Sequence, residues 1–150
     1  MPDKLNVLFL CTGNSCRSQM AEGFCRALRG DVINAYSAGI ETHGLNPNAV
    51  TVMAEAGVDI TSQTSQLLSE LADVKLDYVV TVCSHAHETC PVFPSDAKIV
   101  HVGFDDPPRL ASALPAGDDP LDCYRRVRDE IRNYIKSLPE SLIDEQHSSQ

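Results

Sequence analysis

The sequence predicts an α/β fold, a four-stranded parallel sheet flanked by helices. Three observations carry the prediction. Short aliphatic and β-branched runs alternate with segments of helical periodicity, the pattern of right-handed βαβ units. Asn46-Pro47 and Asp119-Pro120 each place a capping side chain before a proline suited to the first helical position. The run Leu5–Leu10 is nearly all apolar, as expected of a strand covered on both faces.

Taken in order, Leu5–Leu10 is the first strand. Met20-Ala21, Phe24-Cys25 and Leu28 then mark one face of a helix, with Gly30 as its stop. Val32–Ser37 is the second strand, and the Asn46-Pro47 helix ends at Gly57. Thr64–Asp73 reads as another short helix, and Leu76–Val82 and Lys98–Val102 as the third and fourth strands. The last helix opens at Asp119-Pro120, carries Leu121, Tyr124, Val127, Ile131, Tyr134 and Leu138 on one side, and is stopped by Pro139. The breaks at Pro91–Pro94 and Pro107–Pro120 read as loops, and the polar end Asp144–Gln150 as a flexible tail.

The 150 residues make a single domain, 1–150, with 43% hydrophobic content, which excludes extensive disorder. No apolar run approaches the roughly 20 residues of a membrane span. Leu8-Phe9-Leu10 is too short for a signal peptide, so a cytoplasmic protein is expected, and it is taken as a monomer. In that reducing compartment the six cysteines point to catalytic, redox or metal chemistry rather than structural disulfides. A net charge of −9 argues against nucleic acid and anionic membranes as partners. The basic block Arg125–Lys136 reads as a solvated helix face.

In open parallel sheets, ligands bind beyond the carboxyl ends of the strands. Cys11 follows the first strand, Cys83 the third, and Asp105-Asp106 lies just past the fourth. These distant groups are therefore expected on one rim. The segment Cys11-Thr12-Gly13-Asn14-Ser15-Cys16-Arg17-Ser18 joins the first strand to the first helix. Gly13 and Asn14 tolerate left-handed backbone, so successive N–H groups can turn inward as an anion cradle at a helix N-terminus. Arg17 adds a planar fork for a tetrahedral oxyanion. The same field favours a thiolate at Cys11, and Ser18 can donate its hydroxyl to that sulfur.

This loop, with Gln19-Met20-Ala21-Glu22-Gly23 behind it, resembles the low-molecular-weight protein tyrosine phosphatase-like fold and its Cys-x5-Arg signature, and within it the arsenate reductases. The resemblance continues through Tyr36–Gly44, Val80–Cys83, Gly103–Pro107 and Arg126–Ile131. It implies that Cys11 attacks arsenate, that Thr12 to Ser18 bind the oxyanion, and that Asp106 is the general acid, with Asp105 as the neighbouring alternative. It further implies that Cys83 attacks Cys11 to release arsenite, that Cys90 then attacks Cys83, and that thioredoxin reduces the resulting disulfide. Glutathione with glutaredoxin is the alternative reductant in enzymes of similar fold. No metal or resident cofactor is implied beyond a monovalent cation. Certain members bind potassium through residues matching Asn14, Glu22, Ser37 and a later acid, where Gln66 stands here, so only weak cation binding is expected.

Departures from the phosphatase pattern point the same way. Pro108-Arg109-Leu110 stands where aromatics usually grip phosphotyrosine, and Gln19 replaces a usual proline. Were residues 83–90 one helix, their α-carbons would lie about 10.5 Å apart, beyond the roughly 6.8 Å a disulfide spans. The segment 83–93 is therefore expected to rearrange when Cys83 and Cys90 join. Its two cysteines and two histidines could alternatively hold zinc, although the spacing suits no common finger. A low-molecular-weight phosphatase and a non-catalytic redox-sensing or metal-binding module are the competing readings. Cys25 is expected in the core, Cys123 beside the basic block, and Cys16 as non-essential.

Overall fold

The computed structural model describes residues 4–82 and 97–142. Strand β1 (Leu5–Cys11) leads into helix α1 (Arg17–Arg29), β2 (Ile33–Gly39), α2 (Pro47–Glu55), β3 (Tyr78–Thr81), β4 (Lys98–His101), α3 (Pro107–Ser112) and α4 (Pro120–Lys136). All strand pairs are parallel, in the order β2-β1-β3-β4. The expected four-stranded α/β architecture is what forms.

Alternation along β1 sets the position of the site. Val7, Phe9 and Cys11 face the larger core, with Met20 and Phe24 of α1 and Val127, Ile131 and Ile135 of α4. Leu8 and Leu10 face the opposite side, against Ala38, Leu71, Leu76 and Val79. Cys11 is thus the last inward residue of a buried strand, aimed at the face that α1 covers. After β2 the chain crosses to the far side of β1 and makes β3, so the strand order reverses beside the carboxyl end of β1. That reversal opens the crevice in which such sheets bind ligands.

The two Asx-Pro starts behave as expected. Asn46 Oδ1 accepts from the Asn48 and Ala49 amides at 2.8 and 3.3 Å, and Asp119 Oδ1 from the Leu121 amide at 2.9 Å. Two expectations need correction. Thr64–Asp73 forms only a single 3-10 turn at Leu68–Leu71, because Thr64 O accepts from Gln19 and Ser65 and Gln66 spend polar groups on Gly13 and Asn14 of the loop rather than on a helix. The Pro107–Pro120 segment is not all loop: Pro107 and Pro108 open α3, where a proline at the first helical turn costs no hydrogen bond.

The basic face of α4 is laced with ion pairs. Arg125 meets Glu55, Asp119 and Asp122; Arg126 meets Asp105 and Glu130; Arg128 meets Glu55 and Asp129. The expectations for the tail 144–150 and for the rearranging segment 83–93 lie outside the described residues.

Candidate active site

The cradle is built by the carbonyls it turns away. Thr12 O accepts from the Glu41 amide, Gly13 O from the His43 amide and Ser65 Oγ, Asn14 O from Gln19 Nε2, and Ser15 O from the Asn46 amide, all at 2.9–3.1 Å. With four successive carbonyls held outward, the N–H edges of the loop face the cavity. Asn14 sits at φ 47°, the left-handed turn this reversal requires. The first helical bond of α1 is Met20 N to Cys16 O, and no side chain caps the helix, so its first-turn amides add to the same donor surface.

Cys11 Sγ lies 3.0 Å from Ser18 Oγ. Asn14 Nδ2 donates to Ser18 Oγ at 2.9 Å, which leaves the Ser18 hydrogen for the sulfur. The Asn14 amide is itself oriented by the Gln66 main-chain N–H, which donates to Asn14 Oδ1 at 2.7 Å. A thiolate at Cys11 therefore meets a hydroxyl already turned toward it.

Arg17 is fixed by its terminal nitrogens. One donates to Phe104 O at 2.9 Å, and the other lies 3.5 Å from the Asp106 carboxylate. Its Nε is buried and has no hydrogen-bond partner among the described residues. An unpartnered buried guanidine N–H is costly unless a ligand oxygen fills the place. Asp106 precedes α3 without capping it; its side chain turns to Arg17 instead. Asp105, the neighbouring carboxylate, turns away to Arg126 at 2.9 Å.

A cavity of about 420 Å³ opens on this rim, lined by Cys11, Thr12, Gly13, Ser15, Cys16, Arg17, His43, Asp106, Pro108 and Arg109. Asn14 and Ser18 are buried behind the wall, as supports of it. The Cys16 thiol faces the cavity neutral, pushed up to about 12 by burial despite the opposing Arg17 charge. Cys25 is likewise pushed up to about 12 by burial and sits in the core.

Beneath the loop lies a buried polar group. Ser37 Oγ donates to Glu22 Oε1, whose other oxygen pairs with Arg26 at 2.7 Å. Burial raises the Glu22 carboxyl above its usual range, against the pull of Ser37 and Arg26. Gln66 Nε2 donates to Ser37 O at 2.9 Å. Asn14, Glu22, Ser37 and Gln66 do come together, and Asn14 Oδ1 and Ser37 O each accept an N–H group of Gln66. Among the described residues no cluster of three His, Cys, Asp or Glu could hold a metal ion.

The low molecular weight phosphotyrosine protein phosphatase family matches residues 6–148. The chain belongs to that family. Its relatives include the arsenate reductase of Halalkalibacterium halodurans, 50% identical over 139 residues, 93% of this chain and 98% of that protein. A solved arsenate reductase in the phosphate binding state superposes with a TM-score of 0.71 at 30% identity, covering 89% of this chain and 95% of that one. The low molecular weight protein tyrosine phosphatase from T. tengcongensis matches with a TM-score of 0.72 at 29% identity, over 92% and 99%.

Of the residues singled out in the sequence, Cys11 to Ser18 and Asp106 come together on one rim; Cys83 and Cys90 lie outside the described residues. Sequence reasoning missed His43 in the wall and Gln63, and it noted Arg109 and Gln66 only as departures from the family pattern. His43 could have been found by the rule that named Cys11 and Asp106, since it follows the carboxyl end of β2.

Proposed function

We propose that this chain reduces arsenate to arsenite with Cys11, Cys83 and Cys90 as successive thiols. The carrying observation is the Cys11 sulfur beside the Ser18 hydroxyl, in a cavity where the buried Nε of Arg17 has no described protein partner. The 50% identity to an arsenate reductase supports the choice of substrate.

The Cys11 thiolate attacks arsenic while Arg17 and the loop amides hold the oxyanion. Asp106 protonates the departing oxygen, which leaves as water once its protons are in place. Cys83 then attacks the Cys11 sulfur. A Cys11–Cys83 bond forms, the sulfur–arsenic bond breaks, and its electron pair stays on arsenic, which leaves as arsenite. Cys90 next attacks Cys83 and releases Cys11 as a thiolate, which Ser18 stabilises as leaving group. Val82, the residue before Cys83, donates its amide to Leu10 O at 3.0 Å, so β3 ends alongside the strand that carries Cys11.

Electrons come from an external dithiol, thioredoxin in this reading, with glutathione and glutaredoxin as the other source. No resident cofactor takes part. No helix among the described residues is long and apolar enough to cross a membrane, and the reading places the protein as a monomer in the reducing cytoplasm.

A phosphatase shares the oxyanion cradle and needs only water as its second nucleophile. Pro108 and Arg109 occupy the wall here, and no Phe, Tyr or Trp lines the cavity among the described residues. The test is arsenate-dependent NADPH oxidation with thioredoxin and thioredoxin reductase, repeated for Cys83→Ser and Cys90→Ser. Turnover in the wild type and its loss in both variants is expected. Undiminished para-nitrophenyl phosphate hydrolysis in both, with no arsenate turnover in the wild type, would establish the phosphatase instead. Recovery only with glutathione and glutaredoxin would reassign the reductant.

A further inference from the structure

We propose that Arg109 is a second, mobile cation of the site, which closes over the outward oxygens of a tetrahedral dianion held in the loop. The proposal rests on the oxyanion reading above and adds a specificity residue to it.

Three observations converge. All eight arginines lie among the described residues, and seven of them donate to a carbonyl or carboxylate. Arg109 is the exception: its guanidinium has no hydrogen bond or ion pair among those residues. It also stands in the cavity wall and is exposed, one helical turn from Asp106 on the short helix α3. A long side chain at a cavity mouth with no partner among the described residues is free to adopt the geometry that a bound anion selects.

The second observation is that Arg17 cannot do this work. Its terminal nitrogens are tethered to Phe104 O and Asp106, so it serves as a fixed inner fork. The loop amides face the same inner side of the ligand. A tetrahedral oxyanion held there would present outward oxygens for which, among the cavity-lining residues, Arg109 is the mobile cationic donor.

Charge is the third. The cavity wall holds two arginines, which balance the Asp106 carboxylate and the Cys11 thiolate in a chain of −9. Glu41 stands at the same mouth, paired with His43 at 2.8 Å. Without Arg109 the wall would carry a net negative charge, which repels a dianion.

The test uses Arg109→Gln and Arg109→Lys in the full chain, with circular dichroism to check folding. Arg109→Gln is expected to raise the arsenate KM about three- to tenfold, the range for one exposed charge acting on a dianion, with kcat within about twofold. Arg109→Lys should recover most of the loss. Chloride should raise the wild-type KM modestly and the Arg109→Gln KM hardly at all. An unchanged arsenate KM in Arg109→Gln overturns the proposal. So does a change confined to the thioredoxin KM, which would show that Arg109 faces the protein reductant.

A second readout separates this proposal from the reading beneath it. Phosphate and arsenate should each protect Cys11 from iodoacetamide, followed on the Cys11 peptide by mass spectrometry, and protection should weaken in Arg109→Gln. If the wild type fails to turn over arsenate while protection still depends on Arg109, the reductase reading falls and the anion clamp stands.

Discussion

Replacing Ser18 by alanine tests the chemistry of the nucleophile. Ser18 Oγ lies 3.0 Å from Cys11 Sγ, and its own lone pair is taken by Asn14 Nδ2 at 2.9 Å, so its proton is directed at the sulfur. A hydrogen bond to a charged acceptor contributes about 1.5–3 kcal/mol. At 1.36 kcal/mol per unit, its loss should raise the thiol titration midpoint of Cys11 by about one to two units. Alanine leaves a small gap but removes no other partner except the Asn14 donor, and Asn14 stays oriented by the Gln66 amide. The assay is the pH dependence of Cys11 alkylation by iodoacetamide in a Cys83→Ser, Cys90→Ser background. Cys16 and Cys25 stay silent because burial pushes both up to about 12. Reductive turnover in the otherwise native protein should fall in parallel, since Cys11 becomes a poorer leaving group. A midpoint within about 0.3 unit of the parent's, far inside the expected shift, would refute the hydroxyl's role.

Asp106 and Asp105 should separate cleanly. Asp106→Asn is expected to lower kcat by about ten- to a hundredfold through loss of the proton donor. Asp105→Asn, whose carboxylate faces Arg126 at the surface, should stay within about threefold of wild type, as expected of an exposed ion pair. Gly39→Ala should cost about 1–3 kcal/mol in urea unfolding and impair the cradle. Its Cβ would meet Glu41 O at 2.5 Å, Thr12 O at 2.7 Å and Asn14 N at 2.8 Å, all main-chain atoms. The two buried thiols predict an alkaline limit. Cys16 and Cys25 hold their protons in the native state up to about pH 12, whereas the unfolded chain loses them in the ordinary thiol range. The native state then binds more protons, so stability is full below the ordinary thiol range and falls as pH rises toward about 12. Each thiol contributes a slope of at most about 1.4 kcal/mol per pH unit. Cys25→Ala should flatten the profile above that range, and an unchanged slope in urea melts would contradict the assignment.

Much of the fold was legible because its signals are local. The apolar run of β1 and the Asx-Pro caps of α2 and α4 state their conformation within a few residues, and the strand–helix alternation then leaves few topologies. The reactive loop was legible for the same reason. Its residues are contiguous, and Cys11, Arg17 and Ser18 carry recognisable chemistry. Thr64–Asp73 misled because its apolar spacing is helical while Ser65 and Gln66 bond to a loop 52 positions away. A pattern read along the chain does not reveal hydrogen bonds made across it. Pro107 and Pro108 misled in the opposite sense, since paired prolines suit a loop as well as a first helical turn. Gln66 was legible only as a departure from an expected acid. That its main-chain N–H serves Asn14 in the loop and its side-chain N–H serves Ser37 in β2 emerges only when the loop, β2 and the segment after α2 are placed together. Arg109 drew notice for what it replaces, and that its guanidinium has no partner among the described residues became visible only once the other seven arginines had found theirs.

The central claim is that three thiols of this chain carry two electrons to one arsenate. The direct measurement is a single turnover of fully reduced protein with excess arsenate and no external reductant, followed by arsenite quantification and peptide mapping. The account predicts about one arsenite per chain, stoichiometric oxidation of a single dithiol pair, and a Cys83–Cys90 disulfide with Cys11 free. In Cys90→Ser the bond should stop at Cys11–Cys83. Arsenite released without any disulfide at Cys83, or a wild-type disulfide that joins Cys11 to Cys16 instead, would contradict it.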